Sequence, residues 1–222
     1  MKRSILTLAL LGLAASGQVA ENANRQYQTK EGREAIAKGL ADPERDEKQK
    51  PRDIVYSMDL KPGMTVVDLG TGVGYMIPFL SRAVGAEGKV IAEDIASDFL
   101  DKAKMRAKTS NVTNATFVLG TPENANLPAD TVNAVLILDV YHHFDYPDQM
   151  MANIKESLLP GGHVYIVDYF RSATSMPNGR ALEHIRLDRD EVVKEVESYG
   201  YRLLWKKDHV PGVQYMLAFE TK

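Results

Sequence analysis

The segment that most constrains the fold is Val66–Tyr75, which reads VVDLGTGVGY. A β-branched run leads into an acid, and glycines then occupy alternate positions at Gly70, Gly72 and Gly74. Such a run is typical of a buried parallel strand, and residues without a Cβ let the backbone pass close to a ligand before a helix begins. The segment therefore predicts a strand, a binding loop and a helix that together hold a nucleotide-like cofactor.

The glycine spacing narrows the choice of cofactor. A dinucleotide-binding loop has the pattern GxGxxG, and its third glycine would fall on Tyr75. The sequence resembles instead the DxGxGxG motif of class I S-adenosylmethionine (SAM) dependent methyltransferases. The resemblance implies SAM as the cofactor, bound by this loop through Asp68, Gly70, Thr71, Gly72, Gly74 and Tyr75. An acid beside such a loop can attract the ammonium group of SAM.

Strand and helix patterns alternate after the loop, as βαβ units require. The predicted strands are Thr65–Asp68, Lys89–Asp94, Ala115–Leu119, Ala134–Asp139, His163–Asp168, Tyr201–Lys207 and Gln214–Glu220, and the predicted helices are about Gly74–Val84, Ser97–Lys108, Pro147–Leu158 and Asp190–Ser198. The last two strands are joined by a link short enough to force an antiparallel return. We expect an α/β fold of the Rossmann-like type, with helices on both faces of a mainly parallel sheet. The family resemblance implies seven strands and an antiparallel C-terminal strand.

Polar residues close the predicted strands, at the sheet edge where α/β proteins bind ligands. By resemblance, Asp94 accepts hydrogen bonds from both ribose hydroxyls of SAM, and Ile95 packs against the adenine. Strand alternation disfavours Glu93 in that role. After the third strand many family members have Gly-Asp, whose acid binds the adenine amino group, whereas this chain has Gly120-Thr121. Thr121 is then the predicted contact on the adenine side.

The segment LILDVYHHFDY, residues 136–146, resembles the strand-four region of small-molecule methyltransferases. The resemblance places Asp139 near the methionine end of SAM. Methyl transfer needs positioning and a deprotonated nucleophile, and histidine is a natural proton acceptor near neutral pH. His142 and His143 are therefore the predicted catalytic residues, with His142 preferred; the alternative for either one is a structural histidine bonded to a backbone carbonyl.

No metal site is predicted from the sequence. Asp139 and Asp168 close strands on the ligand face, where catechol-type methyltransferases hold Mg²⁺. That subfamily usually has Asn after its second acid, whereas Tyr169 follows Asp168 here, and a third oxygen ligand is missing. Adjacent histidines are also a weak metal motif, because neighbouring side chains diverge.

The first 20 residues have the outline of a secretory signal peptide. Lys2 and Arg3 precede an uncharged apolar run and then small residues. The run is shorter than the roughly 20 residues that span a bilayer, so we expect no stable membrane span. The expected location is the periplasm, or the cytoplasm if the segment is not a functional signal; a hydrophobic first helix of the fold is the alternative. The absence of cysteine means that export would require no disulfide.

The sequence thus predicts a signal peptide (1–20), an N-terminal helical extension (21–51) and a SAM-binding domain (52–222). The formal net charge is −3, and no basic stripe indicates a nucleic-acid partner. The expected activity is methyl transfer from SAM to a small molecule. Two alternatives stay open. One is a SAM-binding protein without turnover. The other is a protein methyltransferase of the isoaspartyl type, because the GTGVGY loop of this chain resembles the GTGSGY loop of those enzymes. The oligomeric state is open.

Overall fold

Seven runs of aliphatic and β-branched residues form one sheet in the computed structural model, which describes residues 20–222. The strands are β1 (Thr65–Leu69), β2 (Lys89–Asp94), β3 (Ala115–Leu119), β4 (Val132–Leu138), β5 (Leu158–Tyr169), β6 (Tyr201–Val210) and β7 (Gln214–Thr221), in the order β3-β2-β1-β4-β5-β7-β6. The first five strands pair in parallel, and β7 is antiparallel to both β5 and β6. The predicted fold class is confirmed.

Nine α-helices surround this sheet within the described residues. They are α1 (Glu21–Asn24), α2 (Lys30–Leu40), α3 (Arg45–Gln49), α4 (Pro51–Met58), α5 (Ile77–Val84), α6 (Ser97–Thr109), α7 (Pro147–Ser157), α8 (Ala181–His184) and α9 (Arg189–Ser198). Short 3-10 helices cover Arg25–Gln28, Tyr141–His143 and Pro177–Gly179. Among residues 20–222, no helix combines the length and the apolar character needed to cross a bilayer.

The core lies on both faces of the sheet, as alternation along buried strands requires. Val67 packs with residues of α7 and α9 on one face, whereas its neighbour Val66 packs with residues of α4 and α5 on the other. Both side chains are fully buried. Because helices cover both faces, the ends of the strands are the part of the sheet left to bind ligands.

The starts of α5 and β5 differ from the sequence prediction by three residues or more. Helix α5 begins at Ile77 and not at Gly74, because Gly74 has φ +77°, outside the helical region, and its N–H closes a turn on the Thr71 carbonyl. Strand β5 begins at Leu158 and includes Pro160–Gly162, with a shift in its register against β4. The signal-peptide prediction falls on residues 1–20, which apart from Ala20 lie outside the described residues.

Candidate cofactor and acceptor site

A cavity of about 450 Å³ lies at the carboxyl ends of the parallel strands. It sits where β1 has β2 on one side and β4 on the other, the point at which open α/β sheets bind ligands. The strand ends and their loops supply one wall, and the N-terminal helices supply the opposite one. Its lining includes Asn24, Tyr27, Leu40, Arg45, Gly70, Thr71, Gly72, Glu93, Asp94, Ile95, Pro122, Asp139, Val140 and His143.

The loop after β1 is held in shape by its own polar groups. The Thr71 hydroxyl donates to Asp68 Oδ2 at 2.6 Å, and the Thr71 N–H donates to the Glu93 carbonyl at 2.8 Å. Gly70 has φ +68°, and a Cβ at this position would lie 2.6 Å from a methyl carbon of Val140. Glycine is therefore required at position 70 by both the backbone conformation and the packing.

Asp94 ties β2 to the glycine loop. Its Oδ2 accepts from the Gly72 N–H at 2.8 Å, and its Oδ1 accepts from the Ala96 N–H at 2.9 Å. The side chain is buried and lines the cavity, where a carboxylate retains lone pairs for further donors. This is the position expected of a group that accepts hydrogen bonds from ribose hydroxyls.

Glu93 also reaches the cavity, contrary to the expectation from strand alternation. Its long side chain turns back so that Oε2 accepts from the Gly70 N–H at 3.2 Å. Gly120 leaves the space for this, since a Cβ there would lie 2.0 Å from Glu93 Oε1. That buried Oε1 has no hydrogen-bond partner among the described residues. A second carboxyl group is thus available to form a hydrogen bond with a ligand.

Burial changes the protonation of these acids. Desolvation raises the pKa of Asp68 and of Asp94 to about 6, and desolvation with the charge of Asp94 raises the pKa of Glu93 to about 8. Desolvation and the charge of Asp168 raise the pKa of Asp139 to about 7. The site therefore concentrates carboxyl groups that a cationic ligand would help to ionise.

Asp139 is held at the end of β4 by contacts from two distant parts of the chain. It follows β4 with φ +56°, and the Gln214 side chain donates to its Oδ1 at 2.6 Å. A guanidinium nitrogen of Arg45 lies 4.0 Å from its Oδ2. The prediction that Asp139 faces the ligand is consistent with its place in the cavity wall.

Tyr75 does not line the cavity but anchors helix α3 over the glycine loop. The Arg45 guanidinium carbon lies 4.0 Å from the centre of the Tyr75 ring, and the Tyr75 hydroxyl donates to Asp46 at 2.8 Å. The N-terminal extension thus packs against the site, although its charged composition predicts weak packing. Arg45 and Tyr27 line the cavity, whereas Arg52 is exposed.

On the adenine side, Thr121 is exposed and its hydroxyl accepts from the Asn124 N–H at 3.0 Å within a local turn. The neighbouring Pro122 and Ile95 line the cavity instead. Ile95 is 52% exposed, which is unusual for a large apolar side chain and leaves a surface on which a flat ring can pack.

His142 and His143 form a 3-10 turn after β4 and have separate polar partners. The Nδ1 atom of His142 lies 2.8 Å and 3.0 Å from the two carboxylate oxygens of buried Asp168. The Nδ1 atom of His143 lies 2.8 Å from Asn24 Oδ1, and Asn24 Nδ2 donates to the His143 carbonyl. His143 lines the cavity, whereas His142 is buried beside it.

The structure thus brings most of the predicted site residues to one cavity. Those in its wall are Gly70, Thr71, Gly72, Asp94, Ile95, Asp139 and His143, while Asp68, Gly74, Tyr75, Thr121 and His142 lie outside the wall. Sequence reasoning did not identify Glu93, Asn24 or Gln214 as parts of the site. Asn24 lies 119 residues from His143 and Gln214 lies 75 residues from Asp139 along the chain, so no local spacing could have revealed either contact.

Comparison with known families agrees with this geometry. A family model described as a methyltransferase domain matches residues 66–162, the part that contains the glycine loop, Asp94 and Asp139. A solved structure, a SAM dependent methyltransferase from Aquifex aeolicus, superposes with a TM-score of 0.76 at 25% identity, covering 83% of this chain and 96% of that one.

Two curated relatives are methyltransferases by name. An arsenite methyltransferase of Halobacterium salinarum is 29% identical over 51% of this chain and 29% of its own length. The ubiquinone/menaquinone biosynthesis C-methyltransferase UbiE of Vibrio vulnificus is 27% identical over 72% of this chain and 66% of its own length. The chain therefore spans less than two thirds of the length of these relatives.

Proposed function

The chain belongs to the class I SAM-dependent methyltransferases, and from this membership we propose that it transfers the methyl group of SAM to a small-molecule acceptor. The observation that carries the proposal is the carboxylate-lined cavity between the glycine loop and β2. Gly72 and Asp94 are joined there at the switch point of the sheet, and the buried Oε1 of Glu93 is left for a ligand.

The residues in the wall fit the parts of SAM. Asp94, with Glu93 beside it, would accept from the ribose hydroxyls, and Ile95 with Pro122 would pack against the adenine. Gly70 and Gly72 allow the backbone to approach the ligand closely, and Asp139 would face the cationic methionine end. When bound, SAM supplies an electrophilic methyl group on a sulfonium.

The cover of the cavity favours a small acceptor. Asn24, Tyr27, Leu40 and Arg45 come from the N-terminal helices and lie in the wall opposite the strand ends. A folded protein acceptor would have to displace these helices to present a side chain, whereas a small molecule would not. Glu93 and Asp94 are themselves buried, which strengthens the electrostatic attraction between these acids and a cationic ligand.

The residues of this chain would act mainly by positioning. Asp139 is held by Gln214 and lies 4.0 Å from Arg45, so the carboxylate is fixed before a ligand enters. Holding the acceptor in line with the transferred group is worth several kcal/mol of barrier in such displacements, roughly 7 or more in favourable cases. That His142 or His143 removes the proton of the acceptor stays a prediction.

Calorimetric titration with SAM tests the proposal. We expect the full-length protein to bind SAM, and Asp68→Ala or Gly72→Val to abolish binding. The first change removes the Thr71 partner, and the second adds a branched side chain at φ +55° with Leu40 3.1 Å from the Cβ position. Asp101→Asn, at an exposed residue of α6, is the control. Unchanged affinity in both site variants would contradict the proposal.

A SAM-binding role without turnover is the second candidate. Its basis is Thr121, which takes the place of the acid that contacts adenine in many members of the family. The Thr121 hydroxyl already accepts a hydrogen bond from the Asn124 N–H. Incubation of the protein with SAM and a broad small-molecule extract distinguishes methyl transfer from SAM binding without turnover. Formation of S-adenosylhomocysteine that depends on the extract supports methyl transfer. Binding of SAM with no product in any fraction supports the second candidate.

A further inference from the structure

A third histidine stands beside the His142–His143 pair. His184, the last residue of α8, brings its ring centre to 4.9 Å from that of His142 and 5.2 Å from that of His143. One ring nitrogen from each of the three residues lies within 4.8 Å of the other two. His184 is 41 residues beyond His143 in the chain, so the sequence does not reveal this cluster.

The hydrogen bonds fix which nitrogens are free. A carboxylate can only accept, so the Nδ1 atom of His142 carries the hydrogen that it donates to Asp168. The Asn24 amide donates from Nδ2 to the His143 carbonyl, which makes Oδ1 the acceptor for His143 Nδ1–H. In their neutral forms, both rings therefore carry their lone pair on Nε2, the form in which histidine binds a metal.

These contacts also turn the two rings toward each other. The expectation that adjacent histidines diverge does not hold here, since their ring centres are 4.1 Å apart. A histidine whose other nitrogen donates to a carboxylate, or to another oxygen acceptor, is the usual arrangement behind a metal ligand. Asp168 and Asn24 supply such partners to two of the three rings.

Two charged groups lie beside the cluster. Arg180 adds a positive charge, and the buried Asp168 carboxylate offsets it.

We propose that His142, His143 and His184 form a three-histidine site for a divalent transition-metal ion, represented by Zn²⁺. Tetrahedral Zn–N bonds of about 2.0–2.1 Å set the ligand nitrogens roughly 3.3 Å apart, so binding would draw nitrogens that now lie within 4.8 Å of one another closer by up to about 1.5 Å. Three protein ligands leave one position open for a non-protein ligand. His143 lies in the cavity wall, which places the metal site next to the cavity.

Metal binding and proton acceptance by these histidines exclude each other. A bound ion would occupy the Nε2 lone pairs that a general base needs. If the proposed methyl transfer holds, an acceptor hydroxyl or thiol in the open position would instead lose its proton to solvent on binding the metal, since coordination lowers its pKa. The metal site itself does not depend on methyl transfer.

Zinc binding to the untagged full-length protein tests this inference. After treatment with a chelator, the protein is equilibrated with ZnCl₂, the bound metal is counted, and affinity is measured against a chromophoric chelator. We expect about one zinc ion per chain, and at least a tenfold loss of affinity in His184→Ala and in His143→Ala. His163→Ala, at a histidine of β5 outside the cluster, should bind as the wild type does.

Failure of this proposal can be separated from failure of the proposed function. No bound zinc in the wild type, or equal affinity in His184→Ala, would overturn the metal site whatever the outcome with SAM. Circular dichroism identifies any variant that does not fold, and His184, which is only partly buried, is the variant most expected to fold. SAM titration of the same samples reports on the cofactor site independently.

Discussion

Asp94 and Glu93 are adjacent carboxylates at the end of β2, and each accepts a hydrogen bond from a different glycine of the loop. Asp94 has a second backbone donor in Ala96, whereas one oxygen of Glu93 has no partner among residues 20–222. An unpaired buried acceptor costs free energy that a ligand with donor groups can recover. At the scale of single residues, the site is therefore arranged for a ligand with hydroxyl groups and positive charge.

Replacing Asp94 by Asn should weaken SAM binding by about 10- to 100-fold. A hydrogen bond to a charged acceptor contributes about 1.5–3 kcal/mol, and this substitution would remove one. The Asn side chain has a single oxygen for the two backbone donors, the N–H groups of Gly72 and Ala96, so the free energy of unfolding should also fall slightly. The check is calorimetry of Asp94→Asn beside Asp101→Asn, whose carboxylate pairs with Lys104 on the surface. Equal affinities in the two variants would show that Asp94 does not contact the ligand.

SAM affinity should fall as the pH is lowered from about 8 to about 5.5. Asp139, with a pKa of about 7, and Asp94, with a pKa of about 6, become protonated in this range, and the cationic ligand loses their attraction. Calorimetric titrations with SAM across this pH range should show a smaller fall in affinity for Asp139→Asn than for the wild type. A constant wild-type affinity would contradict the assignment of these acids to the site.

The same shifts predict the opposite trend for stability without ligand. The folded-state pKa of Asp139 lies above its ordinary value of 3.8, so the folded protein binds this proton more tightly than the unfolded chain does. Asp139 and Asp94 should therefore contribute free energy of unfolding that grows as the pH falls from about 7 toward about 4. Denaturant unfolding of the wild type and of Asp139→Asn checks this, and Asp139→Asn should be the more stable of the two at pH 8. If the wild type were more stable than Asp139→Asn at pH 8, the Asp139 carboxylate could not be destabilised by desolvation.

At the scale of elements, the glycine loop and the N-terminal helices form the two walls of the cavity. Helix α3 is fixed on the loop by Tyr75, through the Arg45 guanidinium and the Asp46 carboxylate. Gln49 extends this contact through Gln214, which in turn holds Asp139. A change in the loop should therefore affect both the binding site and the packing of its cover.

Gly70→Ala should destabilise the protein by about 1–3 kcal/mol and weaken SAM binding, because the new Cβ would be at φ +68° and 2.6 Å from Val140. Gly39→Ala is the matched control. Gly39 lies within α2 with nothing within 4 Å of a Cβ, so alanine there should stabilise by roughly 0.5–1 kcal/mol. Denaturant unfolding of both variants measures the two changes in the free energy of unfolding. Similar changes of the same sign would refute the requirement for glycine at position 70.

At the scale of the whole molecule, periodicity and glycine chemistry predict the sheet and the place of the site, because strand ends in a parallel sheet meet at one edge. Contacts between distant segments escape such reasoning. The orientation of Glu93 depends on the absence of a Cβ at Gly120, and the His184 contact depends on a loop whose path no local pattern specifies. The start of α5 moved for a local reason, the positive φ of Gly74.

The location of the protein remains a proposal based on its first 20 residues. We propose export to the periplasm with cleavage near Gln18 or Glu21, where small residues follow the apolar run. Cell fractionation followed by N-terminal sequencing of the native protein should find a chain that lacks Met1 and the apolar run. Loss of Lys2 and Arg3 would change the formal net charge from −3 to −5. A cytoplasmic chain that begins at Met1 would disprove cleavage.

SAM is expected to occupy the cavity between the glycine loop and β2, and a crystal structure of the protein with S-adenosylhomocysteine would show the bound ligand itself. The ligand density should have the ribose hydroxyls at Asp94, the adenine against Ile95 and the amino acid end toward Asp139. Density at another surface, or an empty cavity at a saturating concentration of ligand, would contradict this expectation.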